Sequence, residues 1–336
     1  MLTIDGSMGE GGGQILRSSL ALSLVTGQPF RIQGIRAGRR KPGLMRQHLT
    51  AVRAAAAVGD ATVSGDAIGS QELVFEPGAV RGGDFRFAVG TAGSAGLVLQ
   101  AVLPALLRAP EPVRLDLEGG THNAASPPYD FLERVYLPWI RRMGPEIDVS
   151  LHQAGFYPAG GGRFTAALTP SPGLARLEVL DRGELRGISV RALYHNLPRS
   201  VPERELEVVQ EKLPITEARV EPLKRGRGPG NALLVEVRSA HITELFTGFA
   251  EKGVPAEMIA RRVVDEVRAY LASKAPVGPY LADQLLLPMA LAGGGRLRTA
   301  RPSRHTMTNI EVIRTFTGIG VSREEQPDGT VVIALG

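Results

Sequence analysis

The sequence predicts an α+β fold: three copies of one two-helix, four-stranded unit, with a smaller α+β domain inserted before the last copy. Three observations lead there. One order of elements is legible three times along the 336 residues. A stretch of different character separates the second reading from the third. Each unit alone also has too little apolar surface to bury, so the copies must pack together.

The first reading starts at Ile15 with an apolar helix, ILRSSLALSLV. A strand (FRIQGI), a second helix (LMRQHLTAVRAAAAVG) and two short strands (ATVSG, ELVFEP) follow. From Leu97 the order returns as helix LVLQAVLPALL, strand VRLDLEGG, helix YDFLERVYLPWIRRMG and strands EIDVSL and RFTAAL. From Leu281 it returns again as LADQLLLPMAL, RLRTAR, NIEVIRTFTG, GVSREE and TVVIAL. Apolar residues at i, i+3 and i+4 mark the helices, and alternation bounded by Gly, Pro or Asp marks the strands. The units are expected at 1–80, 81–170 and 276–336.

Between the second and third units, strand GISVRALYH, helix PERELEVVQEKL, strands ARVEPL, ALLVEVR and ITELFTGF, and the amphipathic helix PAEMIARRVVDEVRAYLAS read as the insert. Its flanks are SPG near Pro172 and APVGP near Pro276. The expected boundaries are 1–177 and 276–336 for the large domain and 178–275 for the inserted one. The basic loop KRGRGPGN (224–231) reads more readily as a solvated hairpin loop than as a contact to a polyanion.

With 43% hydrophobic and 22% charged residues, the composition is that of a soluble globular chain. The N-terminus lacks a basic region followed by an apolar one, so no signal peptide is expected. No apolar run approaches the ~18 residues that span a bilayer. A cytoplasmic protein without membrane partners is the expectation. There is no cysteine, which excludes disulfides, thiolate catalysis and zinc–sulfur sites. The net charge of +5 is carried mostly by arginine, whose forked guanidinium suits phosphate oxygens. A genome that writes arginine for lysine gives the same balance, and charge alone does not choose between them.

Several stretches could carry chemistry. GSMGEGGGQILR (6–17) is a glycine-rich loop entering a helix, an arrangement that binds anions, yet it lacks the Gly-Lys-Ser/Thr of a P-loop. Glu10 inside it would repel phosphate unless a divalent cation bridged the two. IRAGRRKPGLMRQHL (35–49) gathers Arg36, Arg39, Arg40, Lys41 and Arg46, a density that suits a phosphate as well as it suits a solvated face. GTAGSAGLVLQ (90–100) is a second small-residue loop into a helix, with Gln100 one turn inside it. GPYLADQLLLPMAL (278–291) is a third, opening with Tyr280, Asp283 and Gln284. Three units packed about one axis would bring these three junctions together. His305, in RPSRHTMTNIEVIRTF, has no second histidine or cysteine at metal spacing and sits ahead of a helix expected from Asn309.

GEGGGQILR, IRAGRRKPGLMRQHLTAV, GGDFRFAVGTAGSAGLVLQ, GFYPAGGG, VGPYLADQLLLPMALAGGG and RHTMTNIEV, in this order from Gly9 to Val312, resemble the RNA 3′-terminal phosphate cyclase family. The resemblance implies three repeats of a unit like the C-terminal domain of a translation initiation factor, with an inserted α+β domain. It implies conversion of RNA 3′-phosphate ends to 2′,3′-cyclic phosphates with ATP and a divalent metal, Mg2+ or Mn2+. It assigns His305 as the nucleophile that becomes adenylylated, and Glu10 as a metal ligand. Gln100 becomes a second contact to metal or nucleotide. Tyr280, Leu281, Ala282, Asp283 and Gln284 become the nucleotide-binding segment, with Tyr280 on adenine and Asp283 on ribose. Pro127 and Phe131 wall the adenine pocket, and Arg17, Arg36, Arg39 and Gln47 surround the phosphates and the RNA end.

A cyclase-like protein of ribosomal RNA processing would lack the histidine, which is present here with its flanks. An enolpyruvyl transferase of related topology needs no histidine nucleophile, and a non-enzymatic RNA-binding module would leave Glu10, Asp283 and His305 idle. Oligomeric state is not legible.

Overall fold

The computed structural model describes residues 1–336. The first sheet and its helices comprise β1 (Leu2–Asp5), α1 (Gln14–Thr26), β2 (Phe30–Gln33), α2 (Arg46–Val58), β3 (Thr62–Ser64) and β4 (Glu72–Glu76). Its strand order is β1-β2-β4-β3, with β1 parallel to β2 and the other pairs antiparallel.

The second contains β5 (Gly83–Ala88), α3 (Ala95–Leu106), β6 (Val113–Gly119), a broken helix, β7 (Glu146–Gly155) and β8 (Gly162–Thr169). The broken helix is α4 (Tyr129–Phe131), a π turn (Leu132–Tyr136) and α5 (Leu137–Arg142). The π turn lies just ahead of Pro138, which has no N–H to offer the carbonyl of Arg134. The order β5-β6-β8-β7 repeats the first sheet's order and strand senses.

Next come β9 (Leu177–Val179), β10 (Leu185–His195), α6 (Ser200–Lys212), β11 (Glu217–Pro222), β12 (Gly226–Arg227), β13 (Gly230–Ser239), β14 (Thr243–Phe249) and α7 (Ala256–Ala272). The chain ends with α8 (Pro279–Leu291), β15 (Gly295–Thr299), α9 (Arg304–Thr317), β16 (Val321–Glu325) and β17 (Val331–Leu335). The last sheet reads β9-β15-β17-β16, again with the first pair parallel.

Four details depart from the sequence expectations. The third sheet takes its first strand from 177–179, so the interruption falls after that strand and not before the unit. Helix α9 begins at Arg304, five residues before Asn309, because the Ser303 hydroxyl accepts from Thr306 N and caps it there. The basic loop near 224 contributes β12, which joins the second sheet beside β7. The short strands β1 and β5 were not anticipated.

One apolar core runs through the three units, where α1 packs on α2, α3 and α9, and α8 packs on α9. Each fully buried Leu or Ile in it, such as Leu20 or Ile32, contributes about 1.5–3 kcal/mol. The sheet of β11-β10-β13-β14 is buried on both faces. Ile188, Val190, Leu233 and Val235 face α6 and α7, while the alternate residues Leu193, Ala232 and Leu234 join the main core. Polar contacts reinforce this seam. Arg191 pairs with Asp130, and Arg134 Nη1 donates to Glu236 at 3.2 Å. Burial pushes the Asp130 carboxyl up, but hydrogen bonds and charge from His122 and Arg191 outweigh it and hold the group at about 2. No helix is long and apolar enough to cross a membrane.

Glu244 on β14 is buried, and its Oε1 accepts from the N–H of Gly278, the N-cap of α8, at 2.6 Å. Burial pushes this carboxyl up to about 8, against the opposing hydrogen bond. Folding thus takes up a proton between 4.5 and about 8. The group's contribution makes stability fall as pH rises through that window, by up to about 1.4 kcal/mol per pH unit. Glu244→Gln keeps the acceptor and removes this dependence, so the variant's Tm should gain on the wild type's between about pH 5 and about pH 8. A Tm difference that stays constant over that range would contradict a protonated Glu244.

Candidate active site at the meeting of three glycine-rich junctions

The first junction is fixed by a close approach. Gly9 has φ +58°, and a Cβ there would lie 2.1 Å from Thr308 Oγ1, so only glycine fits. Thr308 accepts from Glu10 N at 3.1 Å while donating to Arg304 O at 2.8 Å, which ties the loop to α9. The chain then enters α1 through Gly13, with no side-chain cap on the helix N-terminus.

His305 is the second residue of α9, its side chain about half exposed. Its Nδ1 lies 2.6 Å from Gln14 Oε1, and Gln14 Nε2 donates to Asp283 Oδ1 at 2.7 Å. Because the Asp283 oxygen takes the amide N–H, Gln14 presents its oxygen to the imidazole. Nδ1 must therefore carry the proton, and Nε2 is left with the lone pair. Asp283 is half-buried, and the desolvation this brings raises its carboxyl despite the opposing Gln14 hydrogen bond and the charges of His305 and Arg17. Asn309 braces the group: its Nδ2 donates to Asp283 O at 3.0 Å and its Oδ1 accepts from Ser18 Oγ at 2.7 Å. Helices α1, α8 and α9 are locked together at this point.

A cavity of about 630 Å³ opens beside this chain, within the range of ~300–1,000 Å³ usual for small-molecule sites. All three junctions reach it: Glu10, Gln14 and Arg17 from the first, Leu97 and Gln100 from the second, and Tyr280, Asp283 and Gln284 from the third. Arg39, Pro127, Phe131 and His305 complete that side. Gln100 Nε2 donates to Gln284 Oε1 at 2.5 Å, and Gln284 Nε2 donates to Tyr280 O at 3.2 Å. The Tyr280 residue is 60% exposed at the wall. Burial pulls the Arg17 guanidinium down to about 10, with Asp283 opposing, and no carboxylate pairs with it. A desolvated cation without a partner is a seat for an anion. Arg39 forms an ion pair with Glu10, and His305 Nδ1 lies 4.0 Å from Glu10 Oε2.

Four of the residues singled out from the sequence lie elsewhere. Leu281 and Ala282 are fully buried in the core, so their side chains pack α8. Arg36, at φ +55°, donates Nη1 to Lys41 O at 2.7 Å and Gly43 O at 2.8 Å, closing its own loop. Gln47 Oε1 accepts from Ser94 N at 2.8 Å and joins the first unit to the second.

Other residues were missed. Gln14 stood in the sequence as the first helical residue after GEGGG, the one signal available. His48 is pushed down to about 3 by burial and by the charges of Arg17 and Arg36, so it stays neutral among the arginines. Leu245, Phe249, Ile259, Arg262 and Val263 of the inserted segment form the far wall.

No group of three or more His, Cys, Asp or Glu is placed to hold a metal ion. One carboxylate, Glu10, with the Gln100 amide fits a small hard cation that keeps water and phosphate oxygens as its other ligands, and does not fit a protein-only cage. Such an ion would have to displace Arg39 from Glu10.

Residues 8–322 match the model of the family described as RNA 3′-terminal phosphate cyclase. The chain belongs to that family. An RNA 3′-terminal phosphate cyclase of Salmonella agona (strain SL483) is 51% identical over 325 residues, 97% of this chain and 94% of its own. One of Ralstonia nicotianae is 51% identical over 332 residues, covering 98% and 96%. One of Koribacter versatilis is 50% identical over 329 residues, covering 97% and 93%.

For this cyclase-family member, the contact of His305 with Gln14 sets an observable. Nitrogen-15 correlation spectra of the neutral imidazole should show His305 protonated on Nδ1, and Gln14→Ala should return it to the mixture of a free imidazole. Predominant Nε2–H in the wild type would refute the assignment.

Proposed function

We propose that the protein converts an RNA 3′-terminal phosphate to a 2′,3′-cyclic phosphate, using ATP and a covalent adenylate on His305. The observation that carries this reading is the His305–Gln14–Asp283 hydrogen-bond chain, which frees Nε2 at the wall of a nucleotide-sized cavity. The names of the relatives support the RNA end as substrate.

His305 Nε2 attacks the α-phosphorus of ATP; the N–P bond forms as the P–O bond to pyrophosphate breaks. The ring then carries positive charge, which the Gln14 oxygen at Nδ1–H and, behind it, the Asp283 carboxyl stabilise. An oxygen of the RNA 3′-phosphate takes the AMP from Nε2 and restores the lone pair. The neighbouring O2′ then attacks the activated 3′-phosphorus, losing its proton to solvent as AMP leaves and the ring closes. Holding O2′ against that phosphorus is the protein's contribution to this last step.

Arg17 and Arg39 neutralise phosphates, Tyr280 stacks on adenine, and Pro127 and Phe131 wall the base. Glu10 and Gln100 would hold a divalent metal, Mg2+ or Mn2+, which would supply charge neutralisation at the triphosphate. In this reading the large domain comprises 1–179, two residues beyond the boundary expected from the sequence so that β9 is the first strand of its third repeat, together with 276–336; the inserted domain fills the interval, and the cytoplasm provides both ATP and RNA ends.

Incubation with ATP labelled at the α-phosphate and a divalent metal, without RNA, should label the wild type. The bond should withstand base and yield to acid, and His305→Ala should carry no label and cyclise nothing. Label retained by that variant would remove His305 from the mechanism. Arg39→Ala should keep self-labelling while cyclisation falls about ten-fold or more, the worth of a charge-assisted contact. Equal loss of both steps would put Arg39 on ATP instead.

A further inference from the structure

The basic loop of the inserted segment is not a loose hairpin tip. β12 pairs in parallel with β7, Gly226 opposite Ala154 and Arg227 opposite Gly155. Arg225 O accepts from Ala154 N at 3.2 Å, Leu223 N donates to Tyr194 O at 2.8 Å, and His195 Nδ1–H donates to Leu223 O at 2.9 Å. The backbone is held, yet Lys224, Arg225 and Arg227 are exposed and none pairs with a carboxylate. Three fixed, unneutralised cations sit at the edge of the second sheet.

From there a run of contacts leads to the cavity. The aliphatic part of Arg227 covers Gly161, where a Cβ would lie 2.4 Å from Arg227 Cδ. Gly160 abuts Ala92, a Cβ there meeting the Ala92 backbone at 2.7 Å. Gly93 in turn abuts Gln47 (2.8 Å on the same measure), and Gln47 holds Ser94 N. Gln47 follows Arg46 at the start of α2, on the connection that carries Arg39 into the cavity wall. Along the way Gly90, Thr91 and Pro158 are exposed, and Tyr157 is 78% exposed. The segments 36–47, 89–94, 156–163 and 223–231 contain no aspartate or glutamate, in a chain with 34. Arg40, Lys41 and Arg46 at the cavity end are also exposed and unpaired.

We propose that this strip is the track for the single-stranded RNA lying 5′ of the reacting end. Cations at both ends meet phosphates, the small-residue floor lets a sugar–phosphate backbone lie close, and Tyr157 stacks on an unpaired base. The strip has no donor array for reading base edges, so it recognises single strand and not sequence. The inference rests on the reading that the cavity receives an RNA 3′-phosphate, and gives the inserted segment a role in holding that substrate.

The test compares a trinucleotide 3′-phosphate with a single strand of about ten nucleotides, within the site size of ~4–16 nucleotides found for strand-binding grooves. The wild type should bind the longer RNA more tightly. The combined Lys224→Ala, Arg225→Ala and Arg227→Ala variant should lose that advantage, and its log K against log salt slope should shrink by about 0.7 per lost phosphate contact. Its KM for the trinucleotide and its self-labelling with ATP should not change. Tyr157→Ala should weaken the longer RNA about five-fold or more and Tyr157→Phe should restore it, as stacking requires. Wild-type affinity and salt slope in the triple variant, or equal affinity of the wild type for both lengths, would overturn the track while leaving the cyclisation reading standing. Failure of the wild type to cyclise either RNA would instead strike at that reading.

Discussion

The hydrogen-bond chain from Asp283 through Gln14 to His305 is the constraint on which the rest of the molecule depends. Its two links join residues 269 and 291 positions apart in the chain. Neither forms unless α1, α8 and α9 meet at their N-terminal ends. That meeting requires the core shared by the three units, the glycine at position 9 that lets the loop reach Thr308, and the Asn309 brace across α1 and α8. A single amide then decides which imidazole nitrogen holds a proton. In the proposed mechanism the other nitrogen needs no additional base beside it.

The interrupting segment is tied to the same place. It leaves the third unit after β9 and returns at Gly278, the cap of the helix that carries Tyr280, Asp283 and Gln284. Its buried Glu244 accepts from that cap, while β14 and α7 supply the far wall of the cavity. On its other side β12 extends the second sheet. A segment that looks like an appendage in the sequence thus touches both the helix that presents the acid and the surface that leads away from the site. Two arginine–carboxylate pairs, Arg191 with Asp130 and Arg134 with Glu236, join it to the second unit, and burying Asp130 there costs desolvation that only a partnered charge can bear.

Helices were the legible part of the fold, since an apolar stripe at i, i+3 and i+4 is internal to each, as in Leu16, Leu20 and Leu24 of α1. The strands that escaped notice, β1, β5, β9 and β12, are short edge strands whose pairing partners lie elsewhere in the chain. Glu10 and Gln100 could be singled out because each is a polar residue among glycines or apolar neighbours, Asp283 by its place at the third loop-to-helix junction and His305 as a lone histidine in a basic, hydroxyl-rich turn, and their order along the chain resembled one family. Gln14 could not, because a glutamine at the first position of a helix is unremarkable until its two distant partners are known. Arg36 shows the converse. Its place in a basic cluster suggested a phosphate contact, whereas its left-handed backbone lets it close its own loop, a conformation no residue pattern announces. The cavity wall of Phe249, Ile259 and Val263 reads in sequence as an ordinary amphipathic interior.

The most direct test is a crystal structure of the wild-type protein incubated with ATP and Mg2+ or Mn2+. The account predicts phosphorus bonded to His305 Nε2, with Nδ1 still in contact with Gln14 Oε1 and the Gln14 amide nitrogen still on Asp283. Phosphorus on Nδ1, or on any residue other than His305, would contradict it.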